Sequence, residues 1–325
     1  MSEDYEPPFV ITPGILTQVA EIAEAVGSAS GGMGVVDLRL RRISRIRTIQ
    51  GSLAIEGNTL SEEQITAILE GRRVVASPRE VREARNAIVA YDCLGHWLPH
   101  VEANLLEAHA VLMEELIPDA GAYRSGGVGV MAEHGLIHLA PPFRRVPALM
   151  GGLLAWLERT NYHPLVSSSI FHYEFEFIHP FSDGNGRMGR LWQTLVLTGW
   201  NPIFADIPVE SMIHFNQDEY YAALRISTKE NDSAPFVAFI LKMIREALKK
   251  YITPQAAPQV TPQVQRLLQA LSGEMSAGEL RNALGLRDKK SFRTLYLVPA
   301  LRAGMIELTI PEKPNSPKQR YRLSF

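Results

Sequence analysis

Apolar residues recur along most of this chain at the three-to-four spacing of amphipathic helices. Leu40, Ile43, Ile46 and Ile49 fall on one face of a helix across Arg39–Ile49, and Gly57-Asn58 reads as the C-terminal cap of that helix. Ser61-Glu62-Glu63-Gln64 and Ser77-Pro78-Arg79-Glu80 are capping signatures for two more, the second with a proline at the first helical position. Phe171–Ile178 is an aromatic, apolar run, the pattern of a buried helix. Arg187–Leu197 consists mostly of good helix formers, with Leu191, Trp192, Leu195 and Val196 at helical spacing. The first two thirds of the chain is therefore expected to be mainly α.

One segment breaks that period. In Ala122–Pro142, short Val/Met and Leu/Ile/His runs flank Ala132-Glu133-His134-Gly135, which predicts a β-hairpin in an otherwise helical region. The pattern changes again after residue 252. Residues 253–262 carry repeated Pro and a Pro-Gln-Val repeat, which excludes continuous helix and reads as a linker. Helical patterns then cover 263–271, 277–284 and 289–303, followed by strand-like Met305–Ile310 and Arg320–Leu323. Three helices and a hairpin resemble a winged helix-turn-helix over residues 263–325.

The chain has 325 residues and is 46% hydrophobic, enough for a full core and an appended module. Its net charge of −2 conceals an asymmetry: residues 253–325 hold 11 Lys+Arg against 5 Asp+Glu, leaving 22 against 30 for residues 1–252. Arg287, Lys289, Lys290 and Arg293 in the third helix, with Lys313, Lys318, Arg320 and Arg322 in the wing, suit the phosphates of DNA. A protein-contact winged helix is the alternative. No apolar stretch is long enough to cross a bilayer and the acidic Met1–Glu6 is no signal peptide, so a cytoplasmic location without membrane contact is expected. Cys93 is the only cysteine, which excludes an intrachain disulfide and a cysteine-based metal site.

Candidate chemistry is concentrated in one dodecapeptide, His179-Pro180-Phe181-Ser182-Asp183-Gly184-Asn185-Gly186-Arg187-Met188-Gly189-Arg190. Gly184, Asn185 and Gly186 let backbone N–H groups approach an anion, and the helix that follows turns its positive dipole end toward it. Arg187 and Arg190, three residues apart on one helix face, can grip neighbouring phosphates. Asp183 offers a hard oxygen for Mg²⁺ held jointly with phosphate, and a neutral His179 can deprotonate a hydroxyl. Together these are the parts needed to handle a nucleotide triphosphate.

The dodecapeptide matches His-x-Phe-x-Asp-Gly-Asn-Gly-Arg-x-x-Arg, the signature of the Fic (Fido) family, which this chain resembles without a departure in the motif. The resemblance implies transfer of AMP from ATP to a hydroxyl side chain of a target protein, releasing pyrophosphate. It makes His179 the general base and Asp183 the Mg²⁺ ligand. Asn185 and the Gly184–Gly186 amides take the α-phosphate, Arg187 the adjacent phosphates, and Arg190 the γ-phosphate. Ser52-Leu53-Ala54-Ile55-Glu56-Gly57-Asn58 resembles the family's inhibitory motif, which implies that Glu56 occupies Arg190 in the resting state; an ordinary solvated glutamate before a turn is the plain alternative. The hairpin corresponds to the family's flap, with Val128, Gly129, Val130 and Met131 as the edge beside the nucleotide and the target segment added as a strand. Gln217–Leu224 resembles the helix whose tyrosines, here Tyr220 and Tyr221, wall the adenosine pocket, although two tyrosines on a helix also fit core or rim packing. One branch of the family has an asparagine where this chain has Thr228.

The expected organisation is a helical region 1–100 with the inhibitory motif at 52–58, an all-helical core 101–252 with the flap at 122–142 and the motif at 179–190, the linker 253–262 and the winged module 263–325. Three activities fit: an autoinhibited AMP transferase acting on a Ser, Thr or Tyr hydroxyl of another protein or of itself, a hydrolase removing AMP with Glu56, alone or in a bifunctional enzyme, and a nucleotide-sensing DNA-binding regulator. Inhibition in this family can be tuned by dimerisation, so a homodimer stays open.

Overall fold

The computed structural model describes residues 5–32, 38–132, 135–252, 262–286, 288–302, 305–310, 313, 316 and 318–323. The chain divides into two compact units, one of residues 1–33 and 44–252, the other of 34–43 and 253–325. Each has its own hydrophobic cluster. Among the described residues no helix is long and apolar enough to cross a membrane.

The helices up to residue 252 are α1 (Pro13–Gly32), α2 (Leu38–Ile55), α3 (Glu62–Leu69), α4 (Pro78–Asp92), α5 (Glu102–Leu112), α6 (Val146–Arg159), α7 (Pro164–Ile178), α8 (Asn185–Trp200), α9 (Val209–Phe215), α10 (Gln217–Glu230) and α11 (Ala234–Ile252). Both capping signatures form as read: Ser61 and Ser77 each accept from the third helical N–H while Gln64 and Glu80 reach back to the cap. At the centre of the first unit α7 packs against α8, with α11 against α7. Phe171, Phe175, Phe181, Trp192 and Phe236 are fully buried there, each contributing on the order of 1.5–3 kcal/mol of transfer free energy.

Of the face its sequence predicts, α2 buries Ile46 and Ile49, at most 6% exposed, and half-buries Ile43, while nothing is described of the Leu40 side chain; Leu53 is buried one turn on. The helix stops where a left-handed Gly57 (φ 85°) turns the chain, Gly57 N–H donating to Ala54 O and Asn58 N–H to Leu53 O. Its C-terminal half is bound to the helices beyond the motif: Ser211 Oγ donates to Arg47 O at 2.8 Å and Gln217 Nε2 to Ile55 O at 2.9 Å. These bonds fix Ser52 and Glu56 beside α8.

The hairpin consists of β1 (Gly129–Ala132) and β2 (Gly135–Leu139), antiparallel, with Gly129 opposite Leu139, Ala132 opposite Gly135 and a bulge at Val130/Met131. Glu133 and His134, expected in its turn, lie outside the described residues. β2 runs beside α10, so β1 is the outer edge among the described residues. Val128 precedes the strand, although its carbonyl accepts from Ala140 N–H at 3.3 Å.

In the second unit α12 (Pro262–Ala270), α13 (Ala277–Ala283), α14 (Lys289–Phe292) and α15 (Val298–Arg302) surround Leu267, Leu280, Phe292 and Ala300. Residues 253–261 of the expected linker and Arg287 lie outside the described residues. The third expected helix, 289–303, forms as one helical run over its described residues, with a π turn at Arg293–Leu297 joining α14 to α15. Pro299 accounts for the turn, since it lacks an N–H and its ring crowds the carbonyl of Leu295. The expected two-stranded hairpin is a three-stranded antiparallel sheet in the order β3 (Met275–Ser276), β5 (Arg320–Leu323), β4 (Ile306–Leu308). A two-residue strand is too short for any alternation to announce it.

Gly51 marks the closest approach of α2 to α9, where an added Cβ would stand 2.6 Å from Ser211 N. Gly51→Ala is expected to destabilise the first unit by about 1–3 kcal/mol, measured as a lower denaturant midpoint. An unchanged midpoint would mean that α2 is not clamped there.

Candidate active site

Helix α7 delivers His179 and ends on it. The residue has left-handed backbone angles (φ 50°, ψ 62°) while its N–H still donates to Phe175 O at 2.9 Å. For a non-glycine residue that conformation costs roughly 1–2 kcal/mol, so the surroundings must hold it. They do so through Arg124, whose Nε donates to His179 O at 2.7 Å. The imidazole is 19% exposed, with Nδ1 3.9 Å from Glu176 Oε2.

The loop after His179 is braced by its own motif. Asn185 accepts from Phe181 N–H through Oδ1 and donates to Phe181 O through Nδ2, both at 2.9 Å. Both ends of its side-chain amide are thus committed to the loop, and the residue is 2% exposed. The other brace is His109 of α5, stacked on Phe181 with ring centroids 3.6 Å apart. Its Nδ1 accepts from Gly121 N–H at 2.9 Å, so Nε2 is the protonated nitrogen and donates to Asp183 O at 3.0 Å. Burial holds this imidazole down at about 4, against the Asp183 carbonyl that favours its charged form.

Gly184 (φ 84°) supplies the left-handed turn that starts α8. The first amides of α8, at Asn185, Gly186 and Arg187, have no carbonyl one turn back to bond, as at any helix start, whereas the Gly184 N–H expected to join them donates to Asp183 Oδ1 at 2.6 Å. Asp183 pairs with Arg187 Nη2 and with Arg79 Nη2 of α4, each at 3.1 Å. Glu83 of α4 lies 3.6 Å from Arg187 Nη1 and accepts from Asn58 Nδ2 at 2.9 Å. Thus Asn58 of the 52–58 motif is tied to the same charge network as Arg187. Among the described residues no three His, Cys, Asp or Glu side chains gather into a metal cage; Asp183, 41% exposed, stands as a single carboxylate.

Arg190 is 1% exposed and faces α2. Its Nε donates to Ser52 Oγ at 3.1 Å, and its Nη2 to Ser52 O at 3.0 Å and to Glu56 Oε1 at 2.7 Å. Burial works most strongly against its charge, but the facing Glu56, together with Tyr220 and Glu176, leaves the guanidinium above its ordinary value. Gly186 makes the contact sterically possible, since a Cβ there would stand 2.2 Å from Glu56 Oε1. Glu56 is therefore paired with Arg190 while its side chain stays 35% exposed, rather than free in solvent. Arg190 Nη1 and Arg187 Nε are buried without a hydrogen-bond partner among the described residues, two donors suited to a phosphate oxygen.

Behind Arg190 lies a layer of polar groups that burial keeps neutral. His172 Nδ1 bonds Gln193 Oε1 at 2.7 Å and its Nε2 faces Tyr220 OH at 3.3 Å. Burial pushes His172 down to about 3, opposed by the Gln193 bond and assisted by the Arg190 charge. Burial likewise pushes Glu176 up to about 8, with Arg190 pulling the other way. Tyr220 belongs to this layer: it is 2% exposed and packs on Phe236 and Phe239. Tyr220 and Tyr221 are consecutive on a helix and face different ways, and Tyr220 takes the core packing that the sequence offered as an alternative to a purine wall. Tyr221 is the half-buried ring of the pair.

The structure thus gathers Ser52, Glu56, Asn58, His179, Asp183, Gly184, Asn185, Gly186, Arg187 and Arg190 around the start of α8. Nothing is described of the Val130 and Met131 side chains. His109, Arg124, Arg79 and Glu83 were not singled out in the sequence, and no local signal marks them: each acts on a residue at least 55 positions away. In the second unit Arg320 pairs with Glu279, and Arg322 with Glu307 and Glu274. These two wing arginines are already neutralised by carboxylates, whereas no carboxylate pairs with Lys289, Lys290, Arg293, Lys313 or Lys318 among the described residues.

A family model described as Fic/DOC family matches residues 97–197, and one described as Filamentation induced by cAMP protein Fic-like, C-terminal domain, matches residues 262–324. A Fic family protein from Desulfovibrio desulfuricans G20, known as a crystal structure, is 51% identical, covers 98% of each chain and superposes with a TM-score of 0.75. Protein adenylyltransferase fic-1 of Caenorhabditis briggsae is 30% identical over 66% of this chain and 42% of its own length. Protein adenylyltransferase Fic of Aedes aegypti is 29% identical over 66% of this chain and 43% of its own length. The chain thus spans less than half the length of these curated relatives.

The neutral layer gives a pH-dependent contribution of known sign. His172 titrates near 6.5 when unfolded and near 3 when folded, so its contribution is complete above about pH 6.5 and is lost as the pH falls toward 3. The stability advantage of the wild type over His172→Gln should therefore shrink by about 1.4 kcal/mol per pH unit between roughly pH 5.5 and 4. Denaturant unfolding at several pH values checks this; a constant difference would show that the imidazole is not held neutral.

Proposed function

The chain belongs to the Fic family, and from that premise we propose that it is a protein adenylyltransferase held inactive in the state described here. It transfers AMP from ATP to a Ser, Thr or Tyr hydroxyl of a target protein and releases pyrophosphate. Relatives named protein adenylyltransferase support the reaction. The observation that carries the restraint is the Glu56–Arg190 pair at 2.7 Å.

In this reading the target's hydroxyl oxygen attacks the α-phosphorus of ATP, its proton passes to the His179 imidazole, and the bond from that phosphorus to the pyrophosphate oxygen breaks. The amides that open α8 and the Arg187 guanidinium hold the phosphates and stabilise the charge that moves onto the leaving group. Arg190 holds the γ-phosphate. Glu56 opposes this, because its carboxylate takes one Nη2–H while Ser52 O takes the other, and it puts negative charge where the phosphate oxygens would lie. Asp183 is the residue that would hold Mg²⁺, after releasing Arg79; the ion would neutralise phosphate charge there. The outer edge of β1 offers backbone groups to an extended target segment, which would present the hydroxyl to His179.

Magnitudes support a reversible restraint. Hydrogen bonds to charged groups contribute about 1.5–3 kcal/mol, and each 1.4 kcal/mol is a factor of ten. Displacing Glu56 therefore costs ATP roughly 10- to 100-fold, a barrier that a signal or a high nucleotide concentration can overcome. A second reading, removal of AMP from a modified protein by a water that Glu56 orients, is supported by the same carboxylate standing over Gly186.

The test is incorporation of label from α-labelled ATP with Mg²⁺ into protein, in a cell lysate and in the purified chain alone. Glu56→Gly is expected to raise incorporation roughly 10- to 100-fold and His179→Ala to lower it about 10²- to 10⁴-fold from that level. No incorporation by Glu56→Gly would sink the transferase reading. AMP release from a pre-modified protein that is lost in Glu56→Gly would replace it with the hydrolytic one.

A further inference from the structure

Arg124 lies in the loop between α5 and the hairpin and is 3% exposed. Its guanidinium is spent entirely on main-chain carbonyls. Nε donates to His179 O at 2.7 Å, Nη1 to Gly126 O at 2.8 Å, and Nη2 to Pro141 O at 2.5 Å and Ile178 O at 3.3 Å. The residue's own N–H donates to Pro180 O at 2.9 Å. Burial lowers its pKa, and no carboxylate charge acts in the other direction among the described residues.

A buried cation without an anion is expensive. What offsets that cost here is the C-terminal end of α7, where the helix dipole is negative and the last carbonyls need donors. The same cation also grips Gly126 and Pro141, which stand just before β1 and just after β2. Three chain segments therefore meet on one side chain: the two feet of the hairpin and the helix end that carries His179. A residue needed only to cap α7 would have no reason to reach both feet. A lysine could satisfy one or two of these carbonyls but lacks the fork that serves four.

We propose that Arg124 is a positioning residue that locks the flap hairpin to His179, so that a target segment registered on the hairpin and the base that takes its proton keep one geometry. The inference rests on the transferase reading given above for the consequence, and on the hydrogen bonds alone for the coupling. The left-handed backbone of His179 is what makes such a lock necessary, since an unsupported residue would relax out of that conformation and swing the imidazole. A misplacement of about 1 Å at a reacting group is enough to cost on the order of 100-fold in rate.

Two measurements test the lock. In the Glu56→Gly background, Arg124→Lys is expected to lower kcat for protein labelling on the order of 100-fold while the Kd for a non-hydrolysable ATP analogue stays within about twofold, since neither the α8 amides nor Arg187 and Arg190 depend on Arg124. Labelling that stays within about threefold of the parent, or a loss matched by the loss of analogue binding, would overturn the proposal. Should the parent Glu56→Gly itself transfer no label, the transferase reading fails, and the coupling is judged by amide hydrogen exchange in the wild-type full chain. There the N–H groups of Arg124, His179 and Ala140 are expected to open with one common free energy. Independent opening of Ala140 with His179 still protected would refute the lock, and this readout also decides the matter if Arg124→Lys does not fold.

Discussion

Arg190 carries a positive charge to a depth where 1% of the residue meets water, and the arrangement around it follows from the need to give that charge an anion. Two carboxylates stand in the same interior, but they are poor partners. Burial raises both Glu176 and Glu210, so the depth that isolates Arg190 also favours their protonated forms. Glu56 differs because its side chain remains 35% exposed while one oxygen reaches the guanidinium. Water stabilises its charge from one side and Arg190 from the other. A group so placed can exchange one stabiliser for the other, which a fully buried carboxylate cannot. The interaction that completes the site is therefore also the one most easily undone, and the proposed restraint on ATP uses that property.

The rest of the site is built to stay still. His109 and His172 are each fixed in one tautomer by a hydrogen bond at either ring nitrogen, and burial keeps both uncharged. Asn185 closes the loop on itself, while Arg124 and the end of α7 constrain the backbone of His179. These contacts are mostly side chain to main chain, so they fix where the backbone runs rather than which charges are exposed. The buried donors left without partners among the described residues, Arg187 Nε and Arg190 Nη1, are held in place by neighbours that have none to spare. A site on helix ends, with its donors fixed in advance, needs little reorganisation when an anion arrives.

The helical framework was legible because its signals are local. The capping boxes at Ser61 and Ser77, the buried Ile46 and Ile49 of α2, the aromatic run of α7 and the hairpin between Ala122 and Pro142 each depend on residues within a few positions of one another, and each formed. What was not legible also has a physical cause. Pro299 does lie inside one helical run, but periodicity alone ignores the carbonyl it crowds and so does not announce the π turn at Arg293–Leu297. Met275-Ser276 was not read as a strand because two residues have no alternation. For Tyr220 the sequence left a pocket wall and core packing both open, because which way a helical residue points depends on what packs against its helix, here Phe236 and Phe239.

The sequence by itself determined the residue types of the site, their order along one turn and helix, and the presence of a glutamate at the end of a helix far upstream. It could do so because a glycine-rich turn opening a helix is an anion site wherever it folds. Tertiary structure alone decided the partnerships: that Glu56 reaches Arg190 across 134 positions, that Asn185 braces the loop, that α4 sends Arg79 and Glu83 to Asp183 and Arg187, and that Arg124 joins the flap to His179. Such bonds are set by how helices pack, which is a property of the whole interior rather than of any window of sequence, and charge and burial at each position have no value until that packing is fixed.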